Sequence, residues 1–132
     1  MILLSGVGCK KSNTCSIPSV LVDFTIYTTD PTYFKLNAIG GWVYVTGGSK
    51  GIIVYHQSVD QYVAFDRNCT YNPTASNAVV YVDTTTNITS TCTACSSKFS
   101  IYDGSLLKGP AACSLKQYYT YLNGSALRVY SQ

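Results

Sequence analysis

The chain has 132 residues, a net charge of +3 and only 11% charged residues, with 12 tyrosines and no glutamate. That length accommodates one domain around one modest core. The missing glutamate argues against exposed helices, while abundant Tyr, Val, Ile and Thr favour strands. The lysines are scattered apart from Lys10-Lys11 and form no basic stripe among aromatics, so nucleic acid is not an expected partner.

In chain order, "MILLSGVGCKK" opens with an apolar run and small residues ahead of Cys9. This resembles the tail of a bacterial lipoprotein signal peptide, although the apolar run is short and has no basic flank. The resemblance implies a leader over 1–8, lipid attachment at Cys9, a polar tether over 9–18 and a single domain over 19–132. No other segment approaches the roughly 20 apolar residues of a membrane span.

From residue 20 onward, apolar and polar residues alternate, or short apolar runs end at turn residues. "VLVDFTIYT" (20–28) places Val22, Phe24 and Ile26 on one strand face. "YFKLNAIG" (33–40) accommodates a helical turn. "GGWVYVTGGSKGIIVYHQ" (40–57) reads as a hairpin of strands 42–46 and 52–57 about a glycine-rich turn. Further strands are expected at 61–66 and 78–84. "KFSIYDGSLLKGP" (98–110) reads as strand, Asp-Gly turn and short strand, and 117–130 as a closing hairpin about Asn123-Gly124. The pattern predicts an all-β, antiparallel sandwich or barrel. Its expected core is Val22, Phe24, Ile26, Trp42, Tyr44, Ile53, Val63, Phe65, Val80, Phe99, Ile101 and Leu127.

Six cysteines exceed what a cytosolic chain of this size usually carries without a metal, pointing to an envelope or secreted location or to a metal site. Cys69 follows a strand in "VAFDRNCTYNP". Cys92 and Cys95 form a C-x-x-C in "CTACSSKFSIYDG", and Cys113 follows "LLKGPAA". These three motifs, in this order, resemble the ligand boxes and closing Gly-Pro loop of a Rieske [2Fe–2S] domain over residues 38–130. The resemblance implies a Rieske-like small β-sandwich or barrel with ligand-box loops. It puts Cys69 and Cys92 at the two cysteine-ligand positions, and Tyr71 and Cys95 where the two histidines belong.

A Rieske centre takes two histidines on one iron. This chain has one histidine, His56, inside a strand and expected at the strand surface, so the ordinary centre cannot form. Three states of the site follow from the resemblance. In the favoured one no cofactor is held, and Cys69 is disulfide-bonded to Cys92 or Cys95, which the family's geometry brings together. The second is a cysteine-rich [2Fe–2S] centre on Cys69, Cys92, Cys95 and Cys113, with Tyr71 as a less usual ligand. The third is zinc on the same four cysteines. Cys15 is left either unpaired or pinning the N-terminal arm through Cys113.

No catalytic residues are nominated: with one histidine and no glutamate, no Ser-His-Asp, Cys-His or paired-carboxylate pattern stands out. Asp66 and Asp103 read as turn or strand-end residues, and "GGSKG" (47–51) as a hairpin turn rather than a phosphate cradle. The expected function is a non-enzymatic, membrane-tethered accessory lipoprotein of a bacterial envelope, on its periplasmic or surface side, working within a membrane-protein complex. An electron carrier with a non-standard centre is the alternative.

Overall fold

The structure is a computed structural model and describes residues 15–131. Cys9, the leader and the first part of the tether lie outside the described residues. Among the described residues the strands are β1 (Asp23–Tyr27), β2 (Trp42–Val45), β3 (Ile52–Ser58), β4 (Gln61–Asp66), β5 (Val80–Val82), β6 (Thr89–Cys92), β7 (Lys98–Ser100), β8 (Leu106–Lys108), β9 (Gln117–Asn123) and β10 (Ala126–Tyr130). They form a six-stranded sheet in the order β1-β10-β9-β4-β3-β2 and a four-stranded sheet in the order β5-β6-β7-β8. Every named pairing is antiparallel. The all-β expectation is therefore met, and no helix among the described residues is long and apolar enough to cross a membrane.

The smaller sheet is an excursion of the larger one. β4 and β9 are neighbours, with Ala64 opposite Tyr118 and Phe65 opposite Gln117, and the chain between them builds β5 to β8 and their loops. All three motifs that resemble ligand boxes lie on this excursion.

The apolar run "IIVYH" of β3 is buried throughout because it serves two cores. Successive strand residues point to opposite faces. Ile53 and Tyr55, with Val63 and Phe65 of β4, face the smaller sheet and pack with Val80, Phe99 and Ile101. Ile52 and Val54, with Tyr62 and Ala64, face a second core formed with Val22, Ile26, Leu36, Tyr118, Leu127 and Val129. Leu36 comes from the helical turn foreseen near 33–40, a 3-10 segment at Pro31–Asn37. It starts where a capped helix should: the Asp30 carboxylate accepts the Thr32 amide at 2.8 Å, and proline occupies the first turn.

Expectations about four individual residues are corrected. Tyr44 is 37% exposed rather than core. Its ring covers the Arg67 guanidinium, 3.8 Å from the centroid, and its hydroxyl accepts the Val82 amide. Trp42 and Phe24 only line their cores. His56 is not a surface residue: it is 8% exposed and stacks on Tyr62 at 4.2 Å, on the Ile52–Val54 face of β3. Strand β6 was not foreseen, because "TSTC" carries no apolar alternation.

Asp66 at the end of β4 organises the junction between the sheets. Its buried carboxylate accepts the amides of Ser49 (2.7 Å), Lys50 (3.2 Å) and Asn68 (2.9 Å) and the Tyr118 hydroxyl (2.7 Å). The "GGSKG" turn does wrap an anion, but the anion is this side chain. Gly48, with φ of 63°, comes so close that a Cβ there would collide with the Asp66 carboxylate. Burial, then the bond to Asp66, raises the Tyr118 hydroxyl pKa above its ordinary value.

Candidate metal centre

Three loops of the excursion meet at one end of the smaller sheet. In the first, Asn68 bridges Val79 and the Cys69 amide donates to the Ala78 carbonyl at 2.8 Å, which fixes Cys69 beside the sheet. The second is a tight turn after β6. The Cys92 amide donates to Ser97 O and the Ser96 amide to Cys92 O, both at 2.9 Å, with Ser96 in the left-handed region at φ 66°. Cys95 sits within that turn. The third runs from the cis Gly109-Pro110 bond to Leu115, and two side chains lock it to the others. Ala111 N donates to Ser97 Oγ at 2.8 Å, and Thr70 Oγ1 donates to Cys113 O at 2.7 Å.

The loops bring Cys69, Cys92 and Cys95 together, with all three Sγ atoms within 4.8 Å of one another and Cys69 and Cys95 at 3.7 Å. Cys69 and Cys92 are fully buried among Ala78, Val80 and Ala111, and Cys95 is half-buried. Burial pushes the Cys69 thiol pKa far up. Hydrogen bonding and charge from Cys92, and a bond with Cys95, add to this, while the Tyr71 amide pulls the other way. At Cys95 burial also raises the pKa and is the largest single effect. It is outweighed by hydrogen bonds from the Ser97 side chain and amide, then from Cys92 and Cys69, which leave the thiol below its ordinary value. Ser97 is fully buried and its oxygen accepts from Ala111 N, so its own proton is free to point at Cys95 Sγ, 3.1 Å away.

The other candidates are not in this group. Cys113 is disulfide-bonded to Cys15, with Cα atoms 6.0 Å apart, so it cannot be the fourth thiolate expected for an iron–sulfur or zinc site. Of the two roles left open for Cys15, pinning the arm is the one seen. The disulfide expected between Cys69 and Cys92 or Cys95 is not formed: all three are free thiols, and 3.7 Å is well beyond a bonded pair at about 2 Å. Tyr71 is 46% exposed and lines a surface hollow with Pro73, Pro110 and Ala112. His56 lies on the far face of β3, turned to the other core. Ser97 and Asp66 are the contributors that motif reading missed. The only sequence signal for Ser97 is its place two residues after Cys95; for Asp66 it is the Asp-x-Asn spacing of an Asx turn.

A ladder of six antiparallel strands carrying a four-stranded excursion, with three loops converging at its end, is the Rieske-type fold. The solved structures that the chain resembles agree. The cyanobacterial plasma membrane Rieske protein PetC3 from Synechocystis PCC 6803 superposes with a TM-score of 0.60 at 23% identity, covering 80% of this chain and 97% of that one. The ferredoxin of carbazole 1,9a-dioxygenase from Nocardioides aromaticivorans IC177 gives 0.50 at 15% identity, covering 89% and 100%. The chain matches no family model and no curated protein sequence. The fold expected from the three cysteine motifs is thus the fold observed.

The residues present do not fit the cluster that this fold implies. A Rieske [2Fe–2S] centre needs two cysteines on one iron and two imidazoles on the other. The loops supply three thiols and no imidazole, Tyr71 lines the outer hollow, and Cys113 is covalently committed.

Proposed function

We propose that the protein is a non-catalytic, Rieske-fold accessory protein of a bacterial envelope, tethered to a membrane by a lipid on Cys9. Its contribution to a membrane-protein complex is a rigid β scaffold rather than Rieske-type electron transfer. One observation carries this reading: the loops that would hold the cluster lack any imidazole, and Cys113, the one further cysteine there, is bonded to Cys15. The fold supports the scaffold role, and the "GVGC" segment supports the tether.

The test is anaerobic purification of the full chain, followed by visible spectroscopy and iron analysis. A colourless protein without stoichiometric iron is expected, together with release from the membrane fraction by Cys9→Ser. Visible charge-transfer bands with about two irons per chain would overturn the reading in favour of a cysteine-rich electron carrier.

A further inference from the structure

We propose that Cys69, Cys92 and Cys95 bind one thiophilic d10 cation, zinc(II) or copper(I), as a mononuclear three-thiolate site. This goes beyond the scaffold reading and does not depend on the membrane tether.

The spacing of the sulfurs points to a single ion. Thiolates at about 2.3 Å from one tetrahedral metal lie about 3.8 Å from each other. Cys69 and Cys95 are at 3.7 Å, and the third sulfur lies within 4.8 Å of both. Ligands of a two-iron cluster stand at opposite ends of the rhomb and would be spread further apart. Here the three converge. Soft thiolates in an apolar pocket select zinc or copper(I) over hard cations.

One of the three sulfurs has a polar side chain beside it. The Ser97 hydroxyl accepts Ala111 N at 2.8 Å and lies 3.1 Å from Cys95 Sγ, within hydrogen-bond reach of the sulfur. Such outer contacts orient metal ligands and tune them. Binding is a balanced exchange without redox change: three S–H bonds break, three S–metal bonds form, and three protons leave to solvent. Three thiolates leave a net charge of −1 on zinc and −2 on copper(I), and the Ser97 hydroxyl is placed to donate to the Cys95 thiolate once it forms. The protein supplies no fourth ligand from this cluster, so a fourth position on zinc falls to water or an added ligand, whereas copper(I) is content with three.

The experiment is anaerobic titration of the full chain with cobalt(II), as a coloured substitute for zinc, and separately with copper(I). One equivalent should saturate the thiolate-to-metal band, and zinc(II) should displace cobalt. Cys69→Ser, Cys92→Ser and Cys95→Ser should each weaken binding more than about 100-fold, and Ser97→Ala about 10-fold. Since a serine variant can misfold, protection from alkylation is measured on the unaltered chain: zinc or copper(I) should shield three thiols. Two results overturn this site while leaving the scaffold reading intact: no band with either ion while three thiols alkylate freely, or a Cys69–Cys95 disulfide in the anaerobically isolated chain. Recovery of two irons with inorganic sulfide would overturn both.

Discussion

In the six-stranded sheet the strands run four to seven residues and pair chiefly backbone to backbone, as in the five matched positions of β1 and β10. Strands of the four-stranded sheet are three or four residues long, and side chains do much of the joining. Asp83 accepts from Thr89 (2.7 Å), Thr91 (2.8 Å) and Lys98 (3.3 Å), while Thr93 reaches back to Asn77 and Val79. The larger sheet is therefore a scaffold specified by backbone pairing and apolar burial. The smaller one is a loop carrier specified by individual polar contacts, and the candidate metal centre belongs to the second kind.

That contrast can be broken most directly at Asp66. Asp66→Ala would leave three amides and a hydroxyl without their acceptor at the junction, costing about 4 kcal/mol by the scale of broken buried networks. Urea unfolding should show that loss. Hydrogen exchange should show the amides of Ser49, Lys50 and Asn68 opening, with β1 and β10 still protected. Equal loss of protection in both sheets would erase the distinction.

Next in size is Cys113→Ser. The Cys15–Cys113 bond spans 98 positions and is worth roughly 3 kcal/mol within the usual range for native disulfides. Reduction of the unaltered chain should lower the urea midpoint by the same amount. A variant as stable as the parent would mean that the loop's hydrogen bonds alone suffice.

The smallest effect compares one ion pair from each sheet. Asp83 sits below the ordinary carboxylate pKa: burial, the largest influence, raises it but is outweighed by Thr89, Thr91 and Lys98. A depressed folded-state pKa stabilises above the unfolded value, and that gain is lost as pH falls through the folded value. Asp83→Asn should cost about 1 kcal/mol at neutral pH and flatten the stability loss below about pH 4. Asp23, paired with Arg128 at 2.9 Å, is exposed, with both side chains about half accessible. Asp23→Asn should leave the urea midpoint unchanged within error at ordinary salt. Equal responses from the two variants would remove the difference between the sheets.

The same contrast explains what was legible in the sequence. Period-two patterns in "VLVDFTIYT" and the closing hairpin expose the outer strands of the larger sheet, because burial on one sheet face writes itself at every second residue. By contrast, "QYVAFD" is buried on both faces and reads as a short apolar run. "TSTC" is a strand for another reason: the Cys92–Ser97 turn and the Asp83 contacts hold it, and no pattern records them. The resemblance of "CTYNP", "CTACSSKF" and "KGPA" to Rieske ligand boxes implied that the loops meet. It could not assign partners, because Cys113 is equally a potential ligand until the arm carrying Cys15 is seen to reach it. His56 misled for a related reason. A polar residue ending an apolar run looks like an exposed face, but β3 has a core on each side.

The Cys15–Cys113 bond also sets how the fold would carry a mechanical load. A pull on the chain ahead of Cys15 crosses the sulfur bridge and enters the third loop of the candidate centre, leaving residues 16–22 slack. Through Thr70 to Cys113 O and Ser97 to Ala111 N, that loop would share the tension with the segments bearing Cys69 and Cys95. Reducing the bridge moves the point of attack to β1, where force meets the β10 ladder instead.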